Sequence, residues 1–89
     1  MVTGNGVGIS VSSDNTVAGN TAIGNLQSGI HVGADSLVSG NTAYNNGGKD
    51  GGPGLIVVCA SNVIDNTASG VPSLQLIGDG CNLSNNLAP

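Results

Sequence analysis

Phenylalanine, tryptophan, arginine and glutamate are all absent from this 89-residue chain. Tyr44 is the lone aromatic residue, Lys49 the lone cation, and Cys59 and Cys81 the only cysteines. Each scarcity excludes something. A surface that tracks phosphates needs several Lys or Arg, so the sequence argues against nucleic-acid binding. The same shortage, with a net charge of -4, argues against polybasic attachment to a membrane surface. No apolar run approaches the roughly 18–20 residues of a spanning helix. The first residues, Val2-Thr3-Gly4-Asn5, have neither the charged nor the apolar region of a secretory leader. Two cysteines fix no compartment, so localisation stays open.

What remains is an unusual mixture. Gly contributes 16 residues, Asn 12 and Ser 10, a composition that without a period would read as low complexity. Yet Val, Ile and Leu contribute 23, more than disordered chains carry. The two facts agree only if small aliphatic side chains recur in register.

They do recur. Gly8-Ile9-Ser10-Val11 leads to Val17-Ala18-Gly19-Asn20-Thr21-Ala22. Gly29-Ile30-His31-Val32 leads to Val38-Ser39-Gly40-Asn41-Thr42-Ala43, and Gly54-Leu55-Ile56-Val57 to Val63-Ile64-Asp65-Asn66-Thr67-Ala68. Ser73-Leu74-Gln75-Leu76 leads more loosely to Leu83-Ser84-Asn85-Asn86. The opening Gly precedes the Asn by 12 residues in all three strict copies, whereas the copies start 21, 25 and 19 residues apart. Insertions therefore collect at one place per unit, as in a solenoid.

Within a unit, Ile9 and Val11 alternate with Ser10, a period of two that means a half-buried strand. Gly-Asn and Asp-Asn pairs punctuate the chain and supply turns. Frequent Gly costs a helix about 1 kcal/mol each. Each unit thus reads as short strands joined by tight corners, and stacking puts equivalent positions in columns about 4.8 Å apart. Four inward columns follow: Ile9/Ile30/Leu55/Leu74, Val11/Val32/Val57/Leu76, Val17/Val38/Val63 with Leu83 after a one-residue slip, and Ala22/Ala43/Ala68. Asn20, Asn41 and Asn66 form a further column, continued by Asn85 or Asn86, whose amides can bond from rung to rung.

These motifs resemble the repeat of the right-handed parallel β-helix, the pectate-lyase-like superfamily, as in NosD-like and mannuronan-epimerase-like proteins. The resemblance covers nearly the whole chain. It implies an all-β, single-stranded right-handed solenoid of about four coils in one domain, residues 1–89. The coils fall at 8–28, 29–53, 54–72 and 73–89, with a partial coil at 1–7. The Val2-Thr3-Gly4-Asn5 segment matches Val17-Ala18-Gly19-Asn20, so the chain starts partway through a coil.

The repeat specifies the coil and not an activity. In the enzymes it resembles, substrate lies over the first sheet, among several carboxylates paired with Arg, Lys, His or Ca²⁺. Here that sheet turns Ser10, His31, Ile56 and Gln75 outward. His31 has no charged neighbour in its column. Lys49 and Asp50 sit in the insertion Gly47–Pro53, where solenoids place functional loops. His31, Lys49 and Asp50 are therefore the candidate ligand-binding residues, and no catalytic set emerges.

Asp14, Asp35 and Asp79 each lie six residues after their opening position. Asp14 and Asp35 fall on adjacent rungs, and local turn bonds are favoured over a shared Ca²⁺. No metal or other cofactor is called for. The column Thr21/Thr42/Thr67 lacks a second Thr column beside it, against an ice-binding face. Cys59 and Cys81 stand near one corner of neighbouring coils. Free buried thiols are favoured there over a bridge, which needs Cα atoms within about 7 Å.

Two function classes are left. One is a non-catalytic module serving as an assembly or carbohydrate-contacting scaffold, a homo-oligomer dimerising through its coil ends. The other is a fragment or degenerate member of a polysaccharide lyase or epimerase family.

Overall fold

The computed structural model describes residues 1–48 and 51–88. Each of the first three turns of the chain lays down three short strands, and the fourth lays down two. The first coil holds β1 (Val7–Val11), β2 (Thr16–Ala18) and β3 (Thr21–Ile23). The second holds β4 (Ser28–Val32), β5 (Leu37–Ser39) and β6 (Thr42–Tyr44). The third holds β7 (Leu55–Val58), β8 (Asn62–Ile64) and β9 (Thr67–Ala68), and the fourth β10 (Leu74–Ile77) and β11 (Asn82–Ser84). Among the described residues there is no α-helix.

The strands stack into three parallel sheets, β1-β4-β7-β10, β2-β5-β8-β11 and β3-β6-β9. Isolated parallel bridges, Val2 to Ala22 and Thr67 to Leu87, extend the third sheet at its two ends. The chain is a β-solenoid of about four coils. Its register is the one the repeat dictates: Ile9, Ile30, Leu55 and Leu74 lie in one column, and Val11, Val32, Val57 and Leu76 in another. Val17, Val38, Val63 and Leu83 make a third, and Ala22, Ala43 and Ala68 a fourth. Ile30, Val32, Val38, Leu55, Val57 and Val63, on the two middle coils, are sealed from solvent. Such a thin interior is filled by Val, Ile, Leu and Ala, which accounts for a fold without Phe or Trp.

A single device turns most corners: a residue with positive φ, followed by a polar residue that bonds to the next coil. At the β2–β3 corner and its equivalents the positive-φ residues are Gly19, Gly40, Asp65 and Asn85. Gly, Asn and Asp tolerate this conformation best, so the dipeptides there are Gly-Asn, Asp-Asn and Asn-Asn. The Asn that follows turns inward. Asn41 Oδ1 accepts the backbone N–H of Asn20 at 2.9 Å and its Nδ2 at 3.2 Å. Asn41 Nδ2 donates to the Val17 carbonyl at 2.8 Å and to Asn66 Oδ1 at 3.0 Å. Asn66 repeats the pattern, and Asn86, not Asn85, ends the ladder by accepting from the Asn66 backbone and side chain.

A second ladder, unforeseen from the repeat, runs at the next corner. Asn25 Oδ1 accepts the Asn5 N–H at 3.1 Å, and Asn46 Oδ1 accepts the Asn25 N–H and Nδ2 at 3.0 and 2.9 Å. It explains the opening glycines. A Cβ added at Gly29 would lie 2.6 Å from Asn46 Nδ2 and 2.6 Å from the Gly54 carbonyl oxygen. Gly8 stands in the same relation to Asn25 and Gly29. Here Gly is required for space, not for φ. A third, shorter ladder at the β1–β2 corner joins the Asn15 N–H to Ser36 Oγ at 3.2 Å and the Ser36 N–H to Ser61 Oγ at 3.1 Å. Among the described residues no buried side-chain N or O lacks a partner.

Three expectations need correction. The Val2–Asn5 segment does not align with Val17–Asn20. Val2 pairs with Ala22, and Asn5 bonds to Asn25, so the segment lies on the third sheet. Both corners carry the same Gly-Asn pair, and the sequence match could not tell them apart. Asp79 does not join the Asp14/Asp35 column. The fourth coil spends one more residue at this corner, so Gly80, ahead of Asn82, takes the rung occupied by Ala60, ahead of Asn62. The same shift places Cys81 within 4.9 Å (Cα–Cα) of Cys59, and the two form a disulfide rather than free thiols.

Candidate functional site

His31 stands where the alternation puts it, on the outer face of the first sheet between Ser10 and Ile56, half-buried. Gln75 continues the column beside Ile56. Among the described residues no hydrogen-bond partner orients the imidazole ring, and none of its column neighbours is charged. Lys49 and Asp50 lie outside the described residues. Of the three candidate residues, only His31 falls within the described residues. Among the described residues no three His, Cys, Asp or Glu side chains converge as metal ligands.

Asp14 and Asp35 are corner residues, with φ of 63° and 56°. Their backbone N–H groups donate to the carbonyls of Ala34 and Ala60, which ties each corner to the coil above it. Their carboxylates border an open trough of about 520 Å³. The trough follows the β1–β2 corner across all four coils. Each rung contributes equivalent positions, with Thr16, Leu37, Asn62 and Asn82 in its outer row. Asn82 Nδ2 donates to Asn62 Oδ1 at 2.9 Å, so that row is partly cross-linked. The six-residue offset of Asp14 and Asp35 is the sequence signal for this corner, weighed there between local turn bonds, which are favoured, and a shared Ca²⁺.

A second open cavity, about 560 Å³, adjoins the insertion and is lined by Asn45, Asn46, Gly48, Gly51, Ser69, Gly70 and Val71. Tyr44, directly before Asn45, is exposed on the outer face of β6 beside Ile23. Among the described residues no helix is long and apolar enough to cross a membrane.

The two ends of the stack differ. At the first coil the inner columns end in Ile9 and Val11, both half-buried, and in Val17, only 4% exposed. At the last coil they end in Leu74, half-buried, in Leu76 at 36% and in Leu83 at 50% exposure. Compared with family models, with curated proteins and with solved structures, the chain matches none.

Proposed function

We propose that the chain is a non-catalytic structural module. It is a short, rigid length of β-solenoid that assembles with further copies through a coil end, and whose polar outer surface contacts carbohydrate. The observation that carries this reading is the exposure of inner-column residues on the last coil, where Leu76 and Leu83 face water. Inner positions are apolar because they are meant to be covered. Full burial of a Leu side chain contributes about 1.5–3 kcal/mol, and among the described residues β10 and β11 are paired on one side only. The carbohydrate role rests on the trough. The trough is lined by the Thr16 hydroxyl and the Asn62 and Asn82 amides in its outer row and by Asp14 and Asp35 on its first two rungs, polar groups able to bond a hydroxyl-rich chain. The outer column holding His31 supplies no acid–base partner to it, which favours contact over cleavage.

The test combines sedimentation with glycan affinity electrophoresis and a cleavage assay on pectate and alginate. The reading expects self-association, retardation by a glycan, and no cleavage by the wild type or by His31→Ala. Cleavage abolished by His31→Ala would overturn it in favour of a polysaccharide lyase. A monomer that no glycan retards would overturn it as well.

A further inference from the structure

We propose a sugar-binding subsite on the third-sheet side of the solenoid, in which the Tyr44 ring stacks on the apolar face of a neutral pyranose while Asn45 and Ser69 bond its hydroxyls. The proposal rests on the carbohydrate reading above. It adds a second place, away from the trough, and the kind of sugar unit that fits there. Three observations carry it.

The first is where the only aromatic ring of the chain stands. β6 turns Ala43 inward and Tyr44 outward, and Tyr44 is 40% exposed. An outward Tyr leaves a broad apolar ring in water beside a polar tip. Its column is occupied on both sides. Ile23 pairs with it on the first coil. On the third coil Ser69 follows Ala68, the partner of Ala43, and its N–H donates to the Ala43 carbonyl at 2.9 Å. The exposure of Tyr44 therefore belongs to the middle of the stack and not to an end of it.

The second is the cavity beside the ring. Asn45 directly follows Tyr44, Ser69 is its column neighbour, and both line the open cavity of about 560 Å³. That volume lies within the roughly 300–1,000 Å³ of small-molecule sites. Neither the Asn45 amide nor the Ser69 hydroxyl bonds a described residue. Both groups are exposed, and both can donate and accept. Val71, 71% exposed, adds an apolar flank. A pyranose uses both halves of such a surface, because one small molecule presents an apolar C–H face and a rim of hydroxyls.

The third is charge. None of the described lining residues is ionisable. Nothing described there would neutralise a uronate carboxylate, and the net charge of -4 on the chain repels one. The ring that fits is neutral.

With one Tyr and no Trp, the aromatic proton signals and near-ultraviolet fluorescence of Tyr44 report this site without interference from any other Tyr or Trp. The wild type is titrated with cellohexaose and with N-acetylchitohexaose, as neutral probes, and with trigalacturonate. Saturable shifts of the Tyr44 ring protons are expected with a neutral probe and none with trigalacturonate. By calorimetry, Tyr44→Ala is expected to weaken binding at least about tenfold, and Tyr44→Phe, which keeps the ring, by less than about threefold. Asn45→Gly suits the φ of 54° at that corner and removes only the amide; it and Ser69→Ala are each expected to weaken binding about threefold to tenfold. Should Tyr44→Ala fail to fold, the ring shifts of the wild type still decide. Retardation by a neutral glycan in affinity electrophoresis, with the Tyr44 signals unmoved, would overturn this subsite while leaving the carbohydrate reading standing. Unchanged binding in Tyr44→Ala, or tighter binding of trigalacturonate than of either neutral probe, would overturn it too. Ring shifts produced by concentrating the protein alone would put a second copy over Tyr44 in place of a sugar. Silence of every probe in both assays would overturn the subsite and the carbohydrate reading together.

Discussion

Replacing Asn41 by Ala removes the centre of the first ladder, and the structure gives the cost. Four hydrogen bonds go. The Asn20 N–H and Nδ2 lose their acceptor, the Val17 carbonyl loses a donor, and Asn66 Oδ1 loses one of its two. Asn66 Oδ1 keeps the backbone N–H of residue 41 at 2.9 Å, so it is not orphaned. The Asn20 side chain lies at the partly exposed end of the ladder and water can serve it. The damage reduces to one backbone donor and one backbone acceptor in a poorly hydrated corner. At about 1–3 kcal/mol for each buried group left without a partner, the sum is about 2–6 kcal/mol. The same substitution at Asn20 removes donors to Asn41 and to the Ala18 carbonyl but orphans no described donor that points at Asn20, so it should cost less than about 1 kcal/mol. Urea unfolding followed by far-ultraviolet circular dichroism measures both. Asn41→Asp sharpens the comparison, because it keeps the volume and the acceptor but cannot donate; it should be at least as damaging as Asn41→Ala. Equal effects at positions 20 and 41, or a change at 41 within about 0.5 kcal/mol, would refute the ladder as a source of stability.

Other substitutions probe other parts of the account. Gly29→Ala forces a Cβ against Asn46 and the Gly54 carbonyl and should cost about 1–3 kcal/mol or more, whereas Gly6→Ala, with open space around it, should change stability by less than about 0.5 kcal/mol in the same urea assay. Reducing the Cys59–Cys81 bridge frees residues 22 apart in sequence and should cost about 3 kcal/mol. Because coils contact only their neighbours, hydrogen exchange should show the middle strands β4 and β5 losing protection last. Uniform loss across the chain would contradict that local effect.

The fold was legible because a column of like residues is a signal that repeats. Ile9, Ile30 and Leu55 announce one another, and their alternation with Ser10, His31 and Ile56 assigns the two faces of the sheet. The second Asn ladder was harder to see. Asn5, Asn25 and Asn46 are equivalent, but the third coil carries no Asn at that corner, so the column is shorter than the first. The repeat marks the opening glycines without giving their role, because that role as sockets for Asn25 and Asn46 depends on the approach of side chains from another coil. The disulfide was misjudged for a related reason. The repeat places Cys59 and Cys81 out of register, and only the longer Gly78–Gly80 corner draws them together. The trough was invisible as a shape, since its four rungs differ in residue type and share only their place at a corner.

The central claim is that successive coils lie one parallel rung apart, with the alanine column at Ala22, Ala43 and Ala68 in register. A nuclear Overhauser spectrum of the methyl-labelled protein tests it most directly. Adjacent rungs are about 4.8 Å apart and alternate rungs about twice that. The account predicts strong cross-peaks from Ala22 to Ala43 and from Ala43 to Ala68, and none of comparable strength from Ala22 to Ala68. A strong Ala22–Ala68 peak, or the absence of both adjacent ones, would contradict it.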